Sequence, residues 1–145
     1  MSTRPKVLLD TSAILTHLLD EPGADAVQQH LSAGPDHAHI AAPTLAELER
    51  RLADFVRDDA ERDNILDQYC RTLCTLVGVD RASVEASIHL RRKSRNRLPL
   101  VDALIAGCAL RDGMVLVHRD EHLAGIPSKI LAQERLPEHS PGLEP

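Results

Sequence analysis

Three observations predict an α/β fold with a mostly parallel central sheet and helices on both faces. Short apolar runs alternate with segments of helical period along the chain. Two of those runs, KVLLD at Lys6–Asp10 and MVLVH at Met114–His118, have the unbroken apolar character of strands covered on both sides. The 145 residues contain no repeat and no internal linker, and 43% of them are apolar, which suits one ordinary domain. A chain of this size buries roughly two-thirds of the surface it exposes when unfolded, so its core needs no disulfide or structural metal.

Lys6–Asp10 is the first strand. Ser12–Leu19 follows as a helix, with Ile14, Leu15, Leu18 and Leu19 at helical spacing, and Pro22 and Gly23 end it. Ala24–Leu31 is a second short helix, and His39–Ala42 is a strand candidate. Thr44 with Glu47 three residues later has the form of a capping box. Leu45, Leu48, Leu52, Phe55 and Val56 form the apolar stripe of that helix. Ala60–Leu73 is a further amphipathic helix with Ile65, Leu66, Tyr69 and Leu73 inward. Leu76–Val79 is a strand candidate and Ala82–Arg92 a helix. Val101–Leu110 is an apolar helix that stops near Gly113. Met114–His118 is the next strand, and Lys129–Leu131 a candidate for another. The domain is expected over residues 1–132, with residues 133–145 as a flexible tail, because the last nine residues hold three prolines and a glycine.

Composition excludes several classes. Phe55 and Tyr69 are the only aromatics, too few for a base-stacking platform. No apolar run approaches the roughly 20 residues of a membrane span, and no signal peptide opens the chain, so the cytoplasm is the expected location. Cys70, Cys74 and Cys108 are odd in number and lack a CxxC pair, as expected of reduced thiols. The net charge of −5 disfavours general nucleic-acid binding but permits a locally basic surface. There is no GxxxxGK[ST] phosphate loop and no evident helix-turn-helix.

The acids are more informative. Asp10 ends the first strand and Asp120 lies two residues past MVLVH, so both fall at the carboxyl edge of the sheet, where α/β folds bind ligands. Asp102 is a lone carboxylate in the apolar stretch LPLVDALIAG, near a helix start whose dipole favours an anion. Glu47 is off the apolar stripe of its helix, and periodicity alone favours Glu49. Two unit charges 4 Å apart repel by roughly 4 kcal/mol at an effective dielectric of 20. Convergent carboxylates therefore either protonate or hold a divalent cation, with Mg²⁺ and Mn²⁺ suited to all-oxygen ligands. Such a cation activates water and neutralises charge on a phosphodiester.

LLDTSAIL (Leu8–Leu15), PTLAEL (Pro43–Leu48), LPLVDALIAGCAL (Leu98–Leu110) and VLVHRDEHL (Val115–Leu123), in this order, resemble the PIN-domain ribonucleases. The closest resemblance is to the small toxins of VapBC-type toxin–antitoxin pairs, and it runs from about Lys6 to Leu131. It implies a PIN-like three-layer sandwich and an Mg²⁺- or Mn²⁺-dependent endoribonuclease. Asp10, Glu47, Asp102 and Asp120 then serve as catalytic, metal-binding acids, and Thr11 or Ser12 orients Asp10 or a water. An RNA substrate, a cognate antitoxin over the cleft and a homodimer are further implications. Two positions depart from the family pattern: His118 replaces a common Thr or Ser, and His122 replaces a further acid.

Arg91, Arg92, Lys93, Arg95 and Arg97 form a basic stretch leading into the Asp102 loop. It reads either as a contact for the RNA backbone or as a solvated helix end. His118, Asp120 and His122 form H-x-D-x-H, a set that a transition metal could use, and His37 and His39 form H-x-H; without a further clustered ligand a dedicated zinc site is not expected, and the histidines read as surface or supporting groups. Haloacid-dehalogenase phosphatases also place Asp after the first strand but need a second Asp where Ser12 stands. The alternatives are a non-catalytic PIN-like interaction module, a small-molecule phosphatase, and an RNA-processing nuclease that is not a toxin.

Overall fold

Val7, Leu8 and Leu9 are all buried, as a strand covered on both faces requires. They form β1 (Val7–Leu9), the centre of one all-parallel sheet in the order β3–β2–β1–β4–β5. The computed structural model describes residues 4–138. On one side of β1 lie β2 (Ala38–Ala41) and β3 (Thr75–Val77); on the other lie β4 (Val115–His118) and β5 (Gln133–Arg135).

Period-two alternation assigns each strand residue to a layer. Val7, Leu9, Ile40 and Val117 face one apolar cluster with Ile14, Val27 and Leu48. These come from α1 (Thr11–Leu18), α2 (Ala24–Ser32) and α3 (Ala42–Leu52), and α4 (Asp59–Asp67) adds Ile65 and Leu66 at the margin. Leu8, Ala41 and Leu116 face the opposite cluster with Leu90, Ile105 and Leu123. Those side chains come from α5 (Arg81–Lys93), α6 (Leu100–Asp112) and α7 (Glu121–Ala124). The result is helices, sheet, helices, the three-layer α/β arrangement the alternation predicts. No helix among the described residues is long and apolar enough to cross a membrane.

Five details differ from the sequence reading. The Thr44–Glu47 capping box does not form: α3 starts at Ala42 behind the N-cap Ala41, with Pro43 in its first turn. Proline is tolerated there because first-turn N–H groups have no intrahelical partner. Thr44 is instead fully buried, and its hydroxyl has no hydrogen-bond partner. Phe55 lies past the end of α3 and is 49% exposed, not part of the stripe. The Ala60–Leu73 helix divides into α4 and a π-helical turn, Gln68–Leu73, that carries Cys70 and ends before Cys74.

The last strand is Gln133–Arg135, not Lys129–Leu131, which lies in a turn where Ile130 and Leu131 donate to the Pro127 carbonyl. A three-residue polar edge strand carries no apolar signature. The expected tail therefore does not begin at residue 133: β5 pairs with β4, and Leu136 is buried in the core. Residues 139–145 of that expected tail lie outside the described residues.

The α5–α6 pair sets the position of Asp102. A methyl group on Gly107 of α6 would stand 2.2 Å from Ser87 Oγ and 2.4 Å from the Ser83 carbonyl of α5. Only a hydrogen fits, so Gly107→Ala must push the helices apart. The expected loss is about 1–3 kcal/mol of stability, read as a lower urea midpoint with an unchanged slope.

Candidate metal centre

The strand order reverses between β1 and β4, and this is the switch point at which parallel α/β sheets bind ligands. Asp10 follows β1 and Asp120 follows β4. Asp10 also caps α1, its Oδ2 accepting from Ser12 N–H at 3.0 Å and Ser12 Oγ at 2.6 Å. The same Ser12 hydroxyl accepts from the backbone N–H of Arg119 at 2.9 Å, tying the two strand ends together. Asp10 Oδ1 is buried and has no hydrogen-bond partner.

Glu47 reaches the site from the middle of α3, where Thr11 Oγ1 donates to its Oε1 at 2.7 Å. Glu49, the choice of periodicity, points elsewhere and pairs with Arg62 Nε at 2.9 Å. Asp102 stands in the first turn of α6, 9% exposed, and its carboxylate accepts no hydrogen bond from the described residues. One oxygen each of Asp10, Glu47 and Asp102 lie within 4.8 Å of one another. Asp120 caps α7 by accepting from His122 N–H at 2.7 Å, and it groups with Asp102 and His122 at the same spacing.

Burial pushes the Asp102 carboxyl up to about 7, with the charges of Asp10, Asp120 and Glu47 adding to it. Burial likewise raises Asp10 to about 6, against the lowering effect of the Ser12 hydrogen bonds, with Glu47 and Asp120 as further raising charges. No lysine or arginine forms an ion pair with Asp10, Glu47 or Asp102 among the described residues. An orphaned buried carboxylate oxygen, a second carboxylate without a donor, and a third within reach fit a divalent cation with oxygen ligands.

The sequence reading missed the basic rim. Arg50 and Arg51 line the cleft of about 60 Å³ over Asp10, Glu47, Asp102 and Asp120. They stand three and four residues after Glu47, hence on its helix face, a spacing that was available in the sequence. Arg51 also lines a neighbouring cavity of about 240 Å³ with Ser12, Arg119 and Asp120. Arg119 is held there by Glu21 at 2.6 Å. The five basic residues Arg91, Arg92, Lys93, Arg95 and Arg97 do not line the acidic cleft. They are exposed on the end of α5 and the loop after it, which is pinned by Arg95 N–H donating to the Gly125 carbonyl and Arg91 Nε to that of Leu98.

His118, at the position where the resemblance leads one to expect Thr or Ser, is fully buried. Its Nδ1 accepts from the Asp120 N–H at 3.1 Å, which leaves Nε2–H to donate to Gln133 Oε1 at 2.8 Å. Gln133 passes the link to the Ile126 carbonyl. The ring is neutral in this arrangement, and burial lowers its pKa. It thus fixes the backbone at Asp120 from beneath.

The sequence matches the PIN domain family over residues 7–129, and the chain belongs to that family. No curated protein matches the sequence. Among solved structures, a chain of Rickettsia felis VapBC2, bound to a DNA fragment from its promoter, is similar at TM-score 0.72 and 18% identity, over 90% of this chain and 98% of that one. A chain of a Klebsiella pneumoniae toxin–antitoxin complex is similar at TM-score 0.59 and 25% identity, over 84% and 93%. Mycobacterium tuberculosis VapC20, a toxin that cleaves the sarcin–ricin loop, is similar at TM-score 0.63 and 16% identity, over 84% and 97%.

The raised carboxyl of Asp102 makes the metal-free protein pH-sensitive. Below about 4 the group is neutral in both folded and unfolded chains. Between there and about 7 the unfolded chain ionises while the folded one resists, so stability is lost as pH rises through this window. In EDTA, Asp102→Asn should therefore be more stable than the wild type by roughly 4 kcal/mol at pH 7.5, with little difference at pH 3. Urea unfolding at the two pH values checks both the size and the sign.

Proposed function

We propose that this chain is a metal-dependent endoribonuclease acting in the cytoplasm as the toxin of a toxin–antitoxin pair. The single observation that carries the reading is the pair of buried carboxylates at the sheet's switch point, Asp10 with its Oδ1 unpartnered and Asp102 with no donor among the described residues. Family membership and the likeness to toxin structures support it. Asp10, Glu47 and Asp102 would hold Mg²⁺ or Mn²⁺, with Asp120 completing the acidic site. When bound there, the cation supplies an activated water and offsets charge on the phosphodiester.

The protein's own part is positioning. Ser12 occupies Asp10 Oδ2 and so leaves Oδ1 for the cation, while Thr11 fixes the rotamer of Glu47. His118 and Gln133 hold Asp120 at the far wall. Arg50 and Arg51 line the rim of the cleft, and their guanidinium groups would pair well with phosphates flanking the scissile bond. The exposed stretch Arg91–Arg97 would contact the RNA backbone away from the cleft. With two aromatics in the chain, the RNA is gripped by its backbone and shape, not by stacked bases. The antitoxin blocks the cleft by occupying it. The apolar residues exposed on α5 and α6, Val84, Ile88, Leu100 and Val101, suit a homodimer contact.

Purified chain should cut a pool of structured RNAs into discrete products in Mg²⁺ or Mn²⁺ and not in EDTA. Asp10→Asn and Asp102→Asn should abolish cutting. Arg51→Ala should weaken RNA binding across sequences and reduce the slope of log affinity against log salt by about 1. Failure of the wild type to cut any RNA while it still binds the cation would overturn the nuclease reading.

A further inference from the structure

The edge strand β5 is three residues long and polar, so little apolar burial holds it in the sheet. Its side chains alternate between the two faces, and a histidine ties it on each. On one face Gln133 accepts from His118. On the other, Glu134 Oε1 lies 3.0 Å from Nε2 of His30, near the end of α2. His30 is buried, and its Nδ1 lies 3.0 Å from Nε2 of His37, just before β2. None of Glu134, His30 and His37 lines the acidic cleft. The two imidazole centroids are 5.2 Å apart and their planes 22° apart. That separation is close to the largest a 3.0 Å N···N contact permits, so the nitrogens meet head on. They are placed to share a proton, not to converge on an ion.

We propose that Glu134, His30 and His37 form an acid-sensitive latch, which holds β5 against α2 while the histidine pair carries at most one added proton and opens when the pair takes a second. With no added proton, His30 donates from Nε2 to Glu134 and accepts at Nδ1 from His37 Nε2–H. With one, His30 is an imidazolium that donates to Glu134 on one side and to His37 on the other, and His37 keeps its own proton on Nδ1. Both states leave one hydrogen between the facing nitrogens. A second proton puts an N–H on both of those nitrogens and a positive charge on both rings, so the 3.0 Å contact breaks. The further charged groups acting on His37 are Arg4, from the chain before β1, and His39 on β2, and both oppose its protonation. Arg135, the next residue of β5, faces away and pairs with Glu138. As pH falls below the ordinary histidine value of about 6.5, the unfolded or opened chain binds more protons than the latched one, and the link weakens.

Amide hydrogen exchange on the full chain in EDTA, expressed as protection factors at pH 7.5 and pH 5, tests it. The reporter is the Leu136 N–H, which follows β5 and donates to the His118 carbonyl at 2.7 Å. His37→Gln can still donate to His30 but cannot take the second proton. At pH 7.5 the wild type and His37→Gln should be protected alike. At pH 5 the wild type should be about tenfold less protected, the equivalent of one pKa unit. The acidic centre titrates in both chains, so the comparison cancels it. Glu134→Gln keeps an acceptor but removes the charge that favours the first proton, so it should already be less protected than the wild type at pH 6. His37 and Glu134 are both only partly buried, so neither substitution opens the core. A ratio of wild-type to His37→Gln protection that is the same at both pH values would overturn the latch and leave the three side chains as a static link.

Discussion

Two carboxylates are buried where the sheet's strand order reverses, and the protein supplies neither with a countercharge. Asp10 has one oxygen satisfied by Ser12 and the other by nothing; Asp102 has no donor at all among the described residues. Folding desolvates both groups, and neither Arg50 nor Arg51 at the rim forms an ion pair with them. Unpaired buried charge is among the costliest features a fold can carry. Its retention here is intelligible if the missing positive charge comes from outside the chain.

The rest of the architecture holds that arrangement still. Asp10 is placed by β1 and by its own role as the cap of α1, so its side chain is constrained from both ends. Ser12 ties the end of β1 to the chain after β4, and His118 anchors the backbone of Asp120 from the core side. Asp102 depends on the close approach of α5 and α6, which Gly107, Ser83 and Ser87 permit by being small. These contacts lie in different layers of the fold, yet each fixes one wall of a cleft of about 60 Å³.

Much of this was legible in the residues. The strands around KVLLD and MVLVH announce themselves because a strand buried on both faces must be apolar throughout. The carboxyl-edge rule then locates Asp10 and Asp120 without any contact information. Glu47 was not legible by periodicity, because its helix is amphipathic toward the core while the acid faces the sheet edge; the PIN-family pattern was needed to single it out. β5 was missed because QER is polar and gains its strand geometry only from pairing with β4. The engagement of His118 was hidden because its partners, the Asp120 N–H and Gln133, are brought together only by the β4–β5 register. Arg50 and Arg51 could have been found from their spacing to Glu47.

Thermal unfolding of the chain in EDTA and in saturating Mn²⁺, beside the Asp10→Asn/Asp102→Asn pair, tests most directly whether a cation supplies the missing charge. A ligand that binds only the folded state stabilises it by about 2.7 kcal/mol at 100 times its dissociation constant. The account predicts a midpoint that rises by several degrees with Mn²⁺ in the wild type and does not move in the double variant. A wild-type midpoint that is the same in EDTA and in Mn²⁺ would contradict it.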